Sequence, residues 1–527
     1  MKLKVLAGVL AVAVVAGGAF ALSRFYAGAA DDAITIVPRH SVVYVNVFLS
    51  PSTSQKRALE SLLAKFEAVR TPEKAEDELV ALIDEALRDA GLTFERDVEP
   101  WLGHQVALYV GKFDQLVPEV ATLIATEDEV ATRRMIAKLN ERFGASPQDA
   151  TYEGVRYQVY PDEQIASGFV SGFWVLGSES GFKAVVDAER SGESLAGSEA
   201  FEGVVDRVAE DRVALFYADL GTFFEAAMRF AGAQGMTADE RAAFESLGLE
   251  EAGPAVSALS LRDDAVVLES ASTGLSGVFA AYGGAESLGG DFVSDLPGGS
   301  WIALGAGDLG AGLEGLLDLV ESFAPPGAQP DLPERQFTAA TGLDFRDNVL
   351  SWMGDAGLFV QGRGFLDLGG GLVLETTDPA SSRKALDALA AFAIRNNLDV
   401  VPHEFGDGVG YGLQQRGMPE PVYAMAADDK VVVAYGRKAT EDALGSGERL
   451  AGSETFGRAR AALGDDFAPA MFFDADAIVS LVENMGANTD QNYRDRVAPW
   501  VRPLTHVIAG SKLDGDVVMQ RVVIGAE

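Results

Sequence analysis

The chain has no cysteine in 527 residues. This excludes disulfides, thiolate nucleophiles, cysteine-bound metals and an anchor attached through an N-terminal cysteine. Histidine is almost as scarce: His40, His104, His403 and His506 are dispersed, with no HxxxH or HExxH spacing to hold a metal. Basic residues are few, with 42 Lys and Arg against 79 Asp and Glu and a net charge of −37. A surface of that sign repels nucleic acid, so no nucleic-acid partner is expected. No Gly-x-Ser-x-Gly elbow occurs, because "GSESG" at Gly177 places Glu179 where the nucleophile would stand. Phosphate-loop and EF-hand patterns are absent as well. No cofactor, metal or catalytic residue is therefore assigned, and a non-enzymatic protein is expected.

What the chain does have is an address. Lys2 and Lys4 precede an uncharged run of 18 residues from Val5 to Leu22, followed by small residues at Ala27-Gly28-Ala29. The run stands between the short core of a signal peptide and the length of a spanning helix. Residues 1–32 are read as a signal-anchor or a signal peptide. Either places the body outside the cytoplasmic membrane, tethered or secreted, with the membrane as a partner through this segment.

The body is written twice. "SGESLAGSEAF" (Ser191–Phe201) and "SGERLAGSETF" (Ser446–Phe456) share nine of eleven residues. "GLTFERDVEPWLG" (Gly91–Gly103) and "GLDFRDNVLSWMG" (Gly342–Gly354) share six of thirteen. Weaker pairs keep the same order, among them "VPRHSVVYVNV" with "LPGGSWIALGA" and "LFYADL" with "MFFDAD", at separations of about 250–260 residues. The expected organisation is a first repeat over 33–282, a Gly-rich joint over 283–291 and a second repeat over 292–527. Between the glycines at Gly177 and Gly436 and the serines at Ser191 and Ser446, the second copy is four residues shorter. That is close to one helical turn and predicts a helix there.

Strand-like runs such as "SVVYVNVFL", "QVALYVGKF" and "EVATLIATE" follow one another with short links, broken by amphipathic helical stretches. Strict strand–helix alternation is missing. Each copy is read as α+β: a large, mostly antiparallel sheet with helices packed on one face, preceded in the whole chain by one N-terminal apolar helix.

The repeat filters the motifs. Gly305, Gly307 and Gly310 form a Gly-x-Gly-x-x-Gly between an apolar run and a helix, the order of a dinucleotide-binding turn. The first copy builds the same connection from Ser-Pro-Ser-Thr, so the glycines are read as a turn. In the strongest repeated block, Gly192 and Gly447 are expected to end a helix in the left-handed conformation. Leu195 and Leu450 plug the core, Ser198 and Ser453 cap the next helix, and Phe201 and Phe456 are its first buried anchors. Trp101 and Trp352 are read as packing residues. Asp474 is expected to cap a helix.

The order of these blocks, from the N-terminal membrane segment through "DVEPWLGHQVALYV" and "GFWVLGSESGFKAVVDA" to "SLAGSEAFEGVVDRV", resembles the bacterial exported family known as domain of unknown function 3352. The resemblance implies an envelope protein with a single N-terminal membrane segment and carries no established activity. The functional expectation is an extracytoplasmic binding or envelope-scaffolding protein, with an envelope protein or an apolar ligand as partner. A carrier of lipid or another apolar ligand and a carboxylate-based hydrolase are the alternatives.

Overall fold

The computed structural model describes residues 30–527 except 70–79, 82, 86, 113–117, 163, 234, 238–240, 242–247, 249–250, 275–290, 323–328, 330, 365–366 and 415–416. Residues 1–29 of the expected membrane segment and, Asp291 excepted, the Gly-rich joint lie outside these residues. Among the described residues, no helix is long and apolar enough to cross a membrane. The chain divides into two units, Met1–Ala233 with Ala252–Thr273, and Gln234–Glu251 with Gly274–Glu527.

The first unit carries β1 (Val43–Phe48), β2 (Leu102–Val110), β3 (Val120–Thr126), β4 (Gln148–Tyr152) and β5 (Val155–Tyr160). It continues with β6 (Ile165–Val170), β7 (Phe173–Ser178), β8 (Ala214–Asp219), β9 (Pro254–Arg262) and β10 (Ala265–Ser272). Their order in the sheet is β10-β9-β8-β1-β2-β3-β7-β6-β5-β4, antiparallel throughout. The β4–β5 and β6–β7 connections are two-residue turns with positive φ at both positions, Glu153-Gly154 and Ser171-Gly172. That conformation matches the right-handed twist of the flanking strands and keeps the hairpins tight.

The second unit carries β11 (Ser300–Ala306), β12 (Met353–Gln361), β13 (Gly369–Thr376), β14 (Asp399–Phe405) and β15 (Gly408–Gln414). It continues with β16 (Val422–Ala426), β17 (Lys430–Tyr435), β18 (Ala468–Asp474), β19 (Leu504–Asp514) and β20 (Val517–Ala526). Adding ten to every label of the first order gives the second, β20-β19-β18-β11-β12-β13-β17-β16-β15-β14, again antiparallel. Register repeats too: Val43 pairs with Val110 and Ala218, and Ile302 with Val360 and Phe473. The fold is α+β with large antiparallel sheets, and the duplication extends to the pairing of individual residues.

In the first unit the helices divide between the two faces, where the sequence reading placed them on one. Val106, Ile124 and Trp174 share a face and pack with Met135 and Ile136 of the helix Glu129–Phe143. Tyr109, on the other face, donates to the Gly181 carbonyl of the helix Glu179–Ser191 at 2.7 Å. Being covered on both sides, β3 reads as a near-continuous apolar run rather than an alternating one. In the second unit the helix Pro379–Arg395 packs Ala385 and Leu386 against Leu374 and Val431.

Candidate functional site

The Gly-x-Gly-x-x-Gly turn is a packing device. Gly305 lies in β11, where a Cβ would sit 2.7 Å from Val293 Cγ2. Gly310 lies in the helix Leu309–Ser322, where a Cβ would meet the carbonyl oxygens of Leu350 and Met353. Gly307 sits in the connection between them. The helix N-terminus is already supplied with anions: Ala311 N donates to Asp308 Oδ1 at 3.2 Å, and Asp308 N to Asp355 Oδ1 at 3.0 Å. Two carboxylates occupy the positions a pyrophosphate would need.

The repeated block is a structural lock. Leu195 and Leu450 are fully buried, and Phe201 and Phe456 nearly so. Leu195 N donates to Val37 O at 2.8 Å, and Leu450 N to Leu296 O at 2.7 Å. Phe201 meets Tyr217 edge-on at 5.3 Å, and Phe456 meets Phe472 edge-on at 5.2 Å. Gly192 takes the left-handed conformation with φ 74°. Gly447 does not: it is extended, with φ −105° and ψ 178°, and Gly445 takes the positive φ instead. The cause is the shorter connection, in which the helix Arg437–Glu441 opens into a wide turn over Asp442–Ser446 before Gly447 is reached. Strand pairing also corrects the length difference. Thr126 and Thr376 end β3 and β13, so Ala121 corresponds to Gly371; their partners are Gly177 and Ala434. Gly177 therefore corresponds to Ala434 rather than Gly436, and the second connection is shorter by two residues. Ser453 accepts from Phe456 N at 3.5 Å, but the Ser198 side chain makes no capping bond. Asp474 caps the helix Ala475–Asn484 through Ala477 N at 2.9 Å.

Trp101 and Trp352 are buried to the same extent, and each donates its indole N–H to the carbonyl four residues earlier, Asp97 O and Asn348 O. Asp97 Oδ2 accepts from Thr93 N at 3.1 Å, and Asn348 Oδ1 from Asp344 N at 3.0 Å, so the same turn is closed by an acid in one copy and an amide in the other. Burial alone would raise the Asp97 carboxyl, but hydrogen bonds from Arg96, Lys138 and Thr93 N hold it down to about 2. A depressed carboxyl contributes stability above its unfolded value near 3.8 and loses it as pH falls toward 2. Asp97→Asn is expected to keep the turn, as Asn348 does, and to cost about 1–2 kcal/mol at pH 7. Urea titrations should show that difference closing between pH 4 and pH 2; a constant gap would contradict the assignment.

The first unit also holds a buried polar cluster. Tyr44 OH donates to Asp31 Oδ1 at 2.7 Å, and Asn46 Nδ2 to Gln105 Oε1 at 3.0 Å. Burial raises the Asp31 carboxyl and pushes the Tyr44 hydroxyl well up. The corresponding second-unit positions of Tyr44 and Asn46 are Ala303 and Gly305, so the fold does not require the cluster. The histidines stay apart: His40 pairs with Glu119 at 2.7 Å, His104 with Asp32 at 3.1 Å, and His403 packs on Phe405. Among the described residues no group of three His, Asp or Glu could hold a metal.

Among the described residues, the first unit opens into a larger and a smaller cleft. The larger, about 750 Å³, lies between the helix Glu129–Phe143 and β4–β6. Ile136, Ala137, Tyr157 and Phe169 give it apolar surface, and Arg133, Arg156 and Asp149 line it with charge. The Arg133 guanidinium lies 4.4 Å above the Phe169 ring and pairs with Glu129, while Arg156 makes no ion pair among the described residues. Tyr160 OH reaches Asn140 Oδ1, in the wall of the cleft, at 3.1 Å. The smaller cleft, about 430 Å³, is lined by Arg39, His40, Lys112, Ser198, Tyr217 and Arg229 among others. Neither cleft was visible in the sequence, because each is assembled from segments separated along the chain.

The model of the family described as protein of unknown function (DUF3352) matches residues 4–504. No curated protein matches. Crystal forms III and I of TP0453 align at 12% and 11% identity with a TM-score of 0.24 each, over 46% of this chain and 80% and 79% of theirs. At that score the likeness carries no argument.

Proposed function

The chain belongs to the family of proteins of unknown function DUF3352, and from that premise we propose that it is a non-enzymatic extracytoplasmic binding protein, membrane-tethered or secreted. Its first unit holds an amphipathic ligand with an anionic end in the larger cleft. The observation that carries this reading is the lining: an apolar patch of Ile136, Ala137 and Phe169 within a largely polar wall, where the two guanidiniums of Arg133 and Arg156 outnumber the one carboxylate of Asp149, in a volume of about 750 Å³. A volume of this size is within the usual range of small-molecule sites. A carrier of a lipid or another apolar ligand draws on the same patch, and the two arginines favour a molecule with a charged head over a wholly apolar one.

Native mass spectrometry of the chain purified in mild uncharged detergent tests the reading. A co-purifying small molecule is expected, and Ala137→Trp, on the exposed helix surface at the cleft, should displace it without lowering the melting temperature. A ligand-free mass for the unsubstituted chain, or a ligand retained in Ala137→Trp, would overturn it.

A further inference from the structure

The duplication supplies an internal control for every position. Residues that both copies keep are explained by the fold, and polar residues that only one copy carries need another explanation. The cations of the smaller cleft in the first unit are such residues.

Its walls come from four places. The turn after Pro38 brings Arg39 and His40, and Lys112 follows β2, held where Glu119 N donates to Lys112 O at 3.1 Å. Ser198 stands at the start of the helix Glu199–Val205, and Arg229 projects from the helix Leu220–Ala233. The Pro38 and Pro297 bridges, to Ser194 and Arg449, align the turns and place Gly298 and Gly299 where Arg39 and His40 stand. The pairing of β8 and β18 places Phe472 at Tyr217, and the helices that follow place Leu481 at Ala226 and Asn484 at Arg229. The second copy folds without these cations and carries leucine where the first has Ala226.

Two of the charges already have partners. Arg39 pairs with Glu193 and donates to the Gly197 carbonyl, and His40 meets Glu119. Asp219 also lines the cleft, but its two oxygens are taken by Thr222 N at 3.0 Å and Thr222 Oγ1 at 2.8 Å. That leaves Lys112 and Arg229 without an ion pair among the described residues. The Ser198 hydroxyl makes no hydrogen bond there either, although Ser453 caps its helix. Burial raises the Tyr217 hydroxyl, with the Asp219 charge adding to it, so that it stays protonated as a donor.

We propose that this cleft is a binding site for a phosphate-type oxyanion, either free phosphate or the phosphate of a lipid headgroup. An ammonium, a guanidinium and a free hydroxyl from separate elements suit a tetrahedral group with several charged oxygens better than a carboxylate, which one guanidinium fork would satisfy. In a chain with a net charge of −37, unpaired cations at one cleft are the place where an anion is held rather than repelled. The volume of about 430 Å³ leaves room for a small substituent on the phosphate. The site is separate from the larger cleft and stands or falls independently of it.

Calorimetric titration of the full chain in uncharged detergent tests the site, with inorganic phosphate, sn-glycerol 3-phosphate and dihexanoyl-phosphatidylglycerol as probes. Saturable binding that weakens with added salt is expected. Lys112→Gln with Arg229→Gln should raise the dissociation constant at least tenfold without changing the melting temperature, because both side chains are exposed. Ala226→Leu, the residue the second unit carries, should abolish binding by filling the cleft. Arg363→Gln should have no effect, and Ala137→Trp should leave the binding of inorganic phosphate unchanged. Phosphatidylglycerol binding more tightly than phosphate and competing with it identifies a headgroup site; equal or tighter phosphate identifies the free ion. No saturable binding of any probe, or binding unchanged in the double variant and in Ala226→Leu, overturns the proposal.

Discussion

Replacing Trp101 by alanine is expected to destabilise the first unit by about 4 kcal/mol, within the range for deleting a large buried aromatic. The side chain is 3% exposed, packs edge-on against Trp174 at 5.7 Å and 81°, and donates its indole N–H to Asp97 O at 2.7 Å. Alanine removes the packing and leaves that carbonyl without its donor. The second unit is the control. Trp352 has the same burial and the same indole bond, but Val431 stands where the first unit has Trp174, so the aromatic pair is missing there. Trp352→Ala should therefore cost somewhat less, by roughly the 0.5–1.5 kcal/mol an edge-on pair adds. Guanidinium titrations followed by hydrogen exchange report each unit separately. Loss of protection confined to first-unit peptides in Trp101→Ala is the expected result; a shift below about 1 kcal/mol would show that neighbours collapse into the space.

The second large effect is expected at Gly177. Its pair across β3 and β7 is Ala121, and the corresponding pair in the second unit is Gly371 with Ala434. Each sheet carries one glycine and one alanine at this point, on opposite strands. A Cβ on Gly177 would lie 2.7 Å from Ala121 Cβ and closer still to Val120 O; one on Gly371 would lie 2.5 Å from Ala434 Cβ. The face has room for one methyl. Gly177→Ala should cost about 3 kcal/mol, the upper end for forcing an extra carbon into packed structure. Adding Ala121→Gly should recover most of that loss by making the pair read as it does in the second unit, with a coupling energy a double-mutant cycle measures directly. If the double variant is as unstable as the sum of its parts, the clash with Val120 O rather than the methyl pair sets the cost.

These pairs mark what the sequence could and could not disclose. The nine shared residues of the Ser191 and Ser446 blocks announce the duplication, and the Val37 and Leu296 blocks align residue for residue with the pairing of β1 and β11. Aligning Gly177 with Gly436 misled, because a glycine needed once per cross-strand pair can sit on either strand, and identity at such a site carries no register. Gly447 misled for a related reason: the same letters follow a shorter helix, and the turn moves its positive φ to Gly445. The clefts were hidden by distance along the chain. Arg39, Lys112, Ser198 and Arg229 share no local pattern, and only the order of strands in the sheet brings them together. A signal did exist in the repeat, since the turn after Pro38 reads Arg-His in one copy and Gly-Gly in the other.

The outermost strand of the second unit has a consequence for how the chain behaves in a crowd. Among the described residues β14 pairs with β15 alone, and such a border presents unpaired backbone groups on which another polypeptide could polymerise. Its sequence, Asp399-Val-Val-Pro-His-Glu-Phe405, puts an exposed proline, which has no N–H to offer, between exposed acids. The same role in the first unit falls to β4, only five residues long and carrying Asp149. Both borders are poor templates for fibril growth, a protection that a β-rich chain without disulfides must build from its backbone.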